Sequence, residues 1–202
     1  MKDEKQTDVP GKEELSSSDS LKLDLFFWLQ ALVMALVCLI LVFTFVGRII
    51  GVDGDSMYPT LHHKDMLLLQ SIGYEPRQGD VVVLTKPFKD VTGPIVKRVI
   101  AVGGQHVEID YDAGTVTVDG VVLDEPYINQ EEIMRTPLYE NQSVVDVPEN
   151  CIFVMGDNRN HSNDSRDVTL GVIDERYVLG RAVCVLLPFQ NMGMIPRGET
   201  TP

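Results

Sequence analysis

Thr115-Val116-Thr117-Val118-Asp119-Gly120-Val121-Val122-Leu123 decides the fold class. β-Branched residues stand on both sides of an Asp-Gly pair, the strongest short-range hairpin signal, because the tight two-residue turn needs φ > 0 at both central positions. Working outward, short apolar runs of the same kind recur at Met66–Leu69, Val81–Leu84, Ile95–Val96, Val99–Val102, His106–Ile109, Ile152–Met155 and Ala182–Leu187, with turn residues between them. No long helical periodicity follows residue 48. The pattern predicts a mainly β chain, with an antiparallel β domain after residue 48. Residues 124–147 are polar and strand-poor and read as an insertion or long loop.

Ahead of the strands the composition changes. Leu25 to Gly47 carries no charged residue. As a helix it spans about 34 Å, against a hydrocarbon core of about 30 Å. It is too long for the apolar core of a cleaved leader, and Gly47-Arg48-Ile49-Ile50-Gly51 offers no small-residue cleavage site. A buried core helix without a polar face would be unusual. The expected organisation is a flexible polar tail over 1–24, a transmembrane anchor over 25–47 in the lipid bilayer, and a β domain over 48–202. Lysines in the tail slightly favour a cytoplasmic N-terminus and an extracytoplasmic domain.

The formal net charge of -13 argues against a nucleic-acid partner, whose affinity rests on neutralising phosphates. The three cysteines, Cys38, Cys151 and Cys184, form no C-x-x-C pair, so neither a zinc site nor a thioredoxin-like site is suggested. No metal or cofactor is expected.

The chemistry lies in three segments. The first is Gly54-Asp55-Ser56-Met57-Tyr58-Pro59-Thr60. A serine hydroxyl is a weak nucleophile until a base takes its proton. His62, His63, His106 and His161 are available, but none has an obvious orienting acid. Lys97, in the second segment Pro94-Ile95-Val96-Lys97-Arg98-Val99, is the better base, because aliphatic neighbours force its amine into a dry site. Its pKa must fall by about 3 units to serve near neutrality, which burial supplies if no carboxylate touches the ammonium. Asp53 and Asp55 must then point away from it. The competing reading makes Lys97 and Arg98 edge charges that guard a strand against aggregation. The third segment is Gly156-Asp157-Asn158-Arg159-Asn160-His161-Ser162-Asn163-Asp164-Ser165-Arg166. Asp164 could pair with Arg166, Asp157 could join them, and Ser162 could aim the lysine amine. Alone it would pass for an ordinary polar turn.

Together, and in this order behind one span, the segments resemble the nucleophile, lysine and C-terminal boxes of bacterial type I signal peptidases, with a short extracytoplasmic part similar to the Gram-positive subclass. The resemblance implies a fold of two antiparallel β regions, with Ser56 as nucleophile and Lys97 as general base. It implies Ser162 orienting the lysine, with Asp157, Asp164 and Arg166 as the supporting network. Met57, Tyr58 and Pro59 would lie at the substrate. Secretory preproteins would be the partners, cut after small residues at the first and third positions before the scissile bond. Two positions depart from the family: Gly54 stands where some members carry a serine that helps the oxyanion, and Gln105 where an aspartate commonly follows two glycines. Two rival readings are a self-cleaving Ser–Lys regulator, disfavoured by the anchor and the charge, and a tethered β module without catalysis.

Overall fold

A computed structural model describes residues 17–45, 47–88, 93–129, 134–137 and 140–198. The chain divides into two compact units, Met1–Val42 and Phe43–Pro202.

Helix α1 runs over Ser17–Phe45, and within it Ser20–Ile40 has a mean hydropathy of 2.3 and no buried residue. The helix starts eight residues before the apolar run. Leu21, Lys22 and Leu23 are good helix formers, and extending an existing helix costs far less than nucleating one. Ser17–Ser20, which reads as flexible in the sequence, is its first turn.

The second unit is β. Its strands are β1 (Gly47–Gly51), β2 (Met66–Gln70), β3 (Val81–Leu84), β4 (Ile95–Val102), β5 (His106–Asp110) and β6 (Thr115–Val118). They continue as β7 (Val121–Val122), β8 (Val144–Asp146), β9 (Cys151–Met155), β10 (Ile173–Asp174), β11 (Val178–Leu187) and β12 (Gly193–Met194). Among the described residues they form two antiparallel sheets. The larger has the order β1-β2-β11-β3-β4-β9-β10, with β12 on β11; the smaller has the order β7-β6-β5-β8. The two antiparallel β regions are therefore present.

The hairpin forms with Val118 opposite Val121, and Asp119 and Gly120 take φ of 52° and 80°. Gln105 closes the preceding turn itself: its Oε1 accepts from Val102 N at 3.0 Å and its Nε2 donates to Asp119 at 2.9 Å. An aspartate at that position is not needed for turn support.

One difference from the sequence reading bears on the site. Ile95–Val96 and Val99–Val102 are a single eight-residue strand, β4, which runs through Lys97 and Arg98. It lies inside the large sheet between β3 and β9. Both basic residues are buried, so the edge-guard reading is excluded. The segment 124–147 adds the short strand β8, which pairs with β5. Cys151 and Cys184 are free thiols.

Three apolar clusters fill the domain. Met57, Leu61, Leu67, Leu69, Val83 and Val96 pack beneath the serine segment. Val82, Leu84, Val99 and Val154 occupy the other face of the large sheet. Ile100, Phe153 and Met155 pack against Val107, Ile109 and Val116 of the small sheet. Full burial of each such side chain is worth about 1.5–3 kcal/mol, so the strands that carry the site are firmly held.

Candidate active site

Ser56 is placed by its neighbours. Met57 is 1% exposed and anchors the segment in the core. Tyr58 N donates to Asp55 O and Leu61 N to Met57 O, which coil the chain around the serine. Val52 N to Asp65 O and Lys64 N to Val52 O close the base of the loop. The Asp65 carboxylate, itself buried, accepts from His62 N at 2.8 Å and from Asn191 Nδ2 at 2.8 Å.

The third segment fixes Ser56 from the other side. Asn158 N donates to Ser56 O at 3.0 Å, and Asn158 Nδ2 to Asp55 O at 3.1 Å. Gly156 passes so close that a Cβ there would stand 2.3 Å from Ser162 Oγ and 2.4 Å from Ser56 O. Only glycine fits.

Lys97 comes from the middle of β4. Its Nζ lies 2.7 Å from Ser56 Oγ and 3.0 Å from Val96 O. The residue is 4% exposed. The amine's pKa is lowered to about 8: burial, the largest cause, lowers it, the Asp164 and Asp157 carboxylates oppose that in part, and the Arg166 guanidinium adds to the lowering.

The carboxylates are kept from cancelling that effect by guanidinium partners of their own. Asp157 receives Arg98 Nε at 2.8 Å and Nη2 at 2.7 Å, and Thr60 Oγ1 at 2.5 Å. Asp164 receives Arg166 Nε at 2.8 Å and Nη2 at 2.9 Å, with Gly156 N at 3.0 Å. Burial by itself would push the Asp164 carboxyl up. The Arg166 guanidinium, the Gly156 N–H and the Ser162 hydroxyl outweigh burial and hold it below the usual range. Asp53 faces His63 at 3.4 Å with its carboxylate in solvent.

Ser56 and Lys97 line an open cleft of about 650 Å³. Val52, Met57, Phe88 and Ile95 form its apolar lining, and His161 and Asn163 are polar residues at it. Of the residues expected at the substrate, Met57 lines the cleft, while Tyr58 and Pro59 are exposed outside that lining, with the Tyr58 ring edge-on to His62. The structure thus brings together Ser56, Lys97, Asp157, Ser162, Asp164 and Arg166. His106 is elsewhere, on the small sheet between Asp146 and Glu108. His63 Nδ1 accepts the N–H of Gly54, whose φ is 95°.

Sequence reasoning missed Arg98 as the partner of Asp157. The signal was present: consecutive strand residues face opposite ways, so an Arg after the Lys is delivered behind the site. It also missed Glu125, which pairs with Arg159, because it lies in a stretch without periodicity.

A guanidinium-buttressed Ser–Lys pair in an open cleft can carry out acyl transfer. The sequence profile of the family described as "Signal peptidase, peptidase S26" matches residues 25–187. The chain is 36% identical over 185 residues to signal peptidase I S of Bacillus subtilis, covering 88% of this chain and 97% of that one. It is 35% identical over 182 residues to signal peptidase I of Bacillus licheniformis, covering 87% and 95%. A solved signal peptidase I from Enterococcus faecalis is 28% identical, with a TM-score of 0.44 over 55% of this chain and 98% of that one.

Proposed function

The chain belongs to the signal peptidase family, peptidase S26, and we propose that this serine endopeptidase removes signal peptides from secretory preproteins with a Ser56–Lys97 dyad. The observation that carries the dyad is the 2.7 Å separation of Ser56 Oγ and Lys97 Nζ in a cleft.

The neutral Lys97 amine takes the Ser56 proton as Oγ attacks the scissile carbonyl. The carbonyl oxygen becomes an oxyanion, held by backbone donors, chiefly Ser56 N–H. Gly54 brings no side-chain donor, and its own N–H is committed to His63. The Lys97 ammonium protonates the leaving amine, which departs as the new N-terminus of the mature protein. A water then gives a proton to Lys97 and its oxygen to the acyl carbon; as the bond from that carbon to Ser56 Oγ breaks, the Lys97 ammonium returns the proton to Oγ, and the signal peptide leaves with a new carboxyl terminus. Arg98, Asp157, Asp164 and Arg166 hold the frame, and Ser162 acts on the amine's surroundings through Asp164.

The apolar part of the lining, Val52, Met57, Phe88 and Ile95, supports cleavage after small apolar residues. The substrate lies extended along the cleft, so alternate side chains meet that lining. The helix over Ser17–Phe45 anchors the enzyme in the bilayer with the tail cytoplasmic and the domain outside, where sharing a membrane with the substrate raises their effective concentration.

The test is cleavage of a preprotein by Ser56→Ala and Lys97→Arg enzymes. Arginine stays charged and cannot take the serine's proton. Near-native rates in Lys97→Arg would dismiss the dyad. Equal cleavage of a preprotein with a bulky residue before the scissile bond would dismiss the small-residue rule.

A further inference from the structure

The third segment is gripped from outside the three boxes. Glu125, in the aperiodic stretch after the hairpin, faces Arg159; the two side chains are 6% and 4% exposed. Arg159 Nη1 donates to Glu125 Oε2 at 2.8 Å and Nη2 donates to Oε1. Tyr127 Oη donates to Glu125 Oε1 at 3.0 Å, which orients the carboxylate. The Tyr127 ring lies against the Arg98 guanidinium, 3.9 Å from its centroid. Gly198 also packs closely on that ring, since a Cβ there would stand 2.7 Å from Tyr127 Cε1. Asn129 N donates to Asp157 O at 3.4 Å. Residues 125–129 therefore form a strap that meets Arg159, Arg98 and Asp157 at once.

From Arg159 the contacts lead to the nucleophile. Arg159 Nε donates to Gly156 O at 3.2 Å, and Arg159 O receives Arg166 Nη2 at 2.7 Å. Two residues on from Gly156, Asn158 N holds Ser56 O. We propose that Glu125 is a positioning residue for catalysis: by pinning Arg159 it sets the Gly156–Asn158 backbone that stands Ser56 against Lys97. The inference rests on the dyad reading above.

Without the carboxylate, a buried guanidinium is left uncompensated. Asp157 and Asp164, the carboxylates of the same segment, already belong to Arg98 and Arg166. Arg159 must then move toward one of them or toward water, and the Gly156 carbonyl moves with it. Neither Glu125 nor Arg159 lines the substrate cleft, so the loss falls mainly on the chemical step, through Ser56, rather than on binding.

The full-length enzyme in detergent, cleaving a preprotein, tests this. Glu125→Gln keeps the shape and removes the charge. The expected result is a kcat per titrated active site lower by roughly 10–100-fold, the range that a displacement of about 1 Å produces, with KM within about twofold. A merely structural role would lower the folded fraction and leave kcat per active site unchanged; that outcome overturns the inference. If Glu125→Gln does not fold, Tyr127→Phe decides. It keeps the ring on Arg98 and removes only the bond to Glu125, so a fall in kcat of about threefold or more at constant KM supports the proposal and an unchanged kcat overturns it. Ser56→Ala and Lys97→Met run in parallel. If either keeps native rates, the dyad reading fails and this inference falls with it. If both are inactive and the Glu125 and Tyr127 variants match the wild type, only this inference fails.

Discussion

Lys97 and Arg98 are consecutive on β4, yet the amine of one lies 2.7 Å from Ser56 Oγ while the guanidinium of the other is forked onto Asp157. Strand alternation sends the two side chains to opposite faces. One face supplies a base that must stay uncharged, the other a cation that neutralises Asp157, one of the two carboxylates that act on that base. A strand buried on both sides lets one dipeptide do both.

The first prediction concerns proton removal. Preprotein cleavage falls by about 10³-fold or more in Ser56→Ala and Lys97→Met, comparable to losses when a nucleophile or its base is removed elsewhere. The steady-state cleavage rate measures it, and a Lys97→Met enzyme within tenfold of the wild type would contradict it.

The pH profile carries a sign. Only the neutral amine accepts the Ser56 proton, so kcat/KM rises with pH through about 8, where burial has placed Lys97. The acid limb has unit slope in log units. A plateau already reached at pH 6, or a rate that declines between pH 7 and pH 8, would contradict the assignment.

Burial of Lys97 also has a stability consequence. Its folded pKa is depressed, so between pH 8 and 10.5 the unfolded chain binds more protons and stability rises with pH over that window. Lys97→Met lacks this term, and at pH 7 it is more stable than the wild type by about 1–3 kcal/mol. Denaturant midpoints of both proteins at pH 7 and pH 10 test this: the gap must shrink at the higher pH.

Breaking the Arg98–Asp157 pair is costly because both side chains are fully buried. Asp157→Ala or Arg98→Ala alone destabilises the domain by about 3–5 kcal/mol, and the double substitution costs less than the two separate losses combined. Chemical denaturation of the four proteins measures the coupling, and strict additivity would show that the pair does not act as a unit.

Gly156→Ala inserts a methyl 2.3 Å from Ser162 Oγ and 2.4 Å from Ser56 O. Ser56 O cannot give way without moving the nucleophile, and Ser162 Cβ, 2.6 Å away, leaves no room on its side even if the hydroxyl turns. Cleavage drops by about 10²-fold, while overpacking costs about 1–3 kcal/mol of stability. A thermal melt beside the rate separates the two effects; native activity would mean the segment is softer than its contacts imply.

The sequence by itself determined the elements whose signal is local. The Asp119-Gly120 hairpin, the apolar helix and most strands of the large sheet follow from turn chemistry and side-chain period, which a few adjacent residues encode. Ser56, Lys97 and the polar run after Met155 were legible because their types are unusual in their surroundings. Only the tertiary structure decided what meets what. It joined two short apolar runs into β4 through a Lys-Arg pair that could also be read as edge charges, because burial of Arg98 depends on the Asp157 carboxylate 59 residues away in sequence. It assigned Asp157 to Arg98 rather than to Arg166, and it drew Glu125 from an aperiodic stretch onto Arg159. Such pairings depend on chain closure across the fold, and no local periodicity records them.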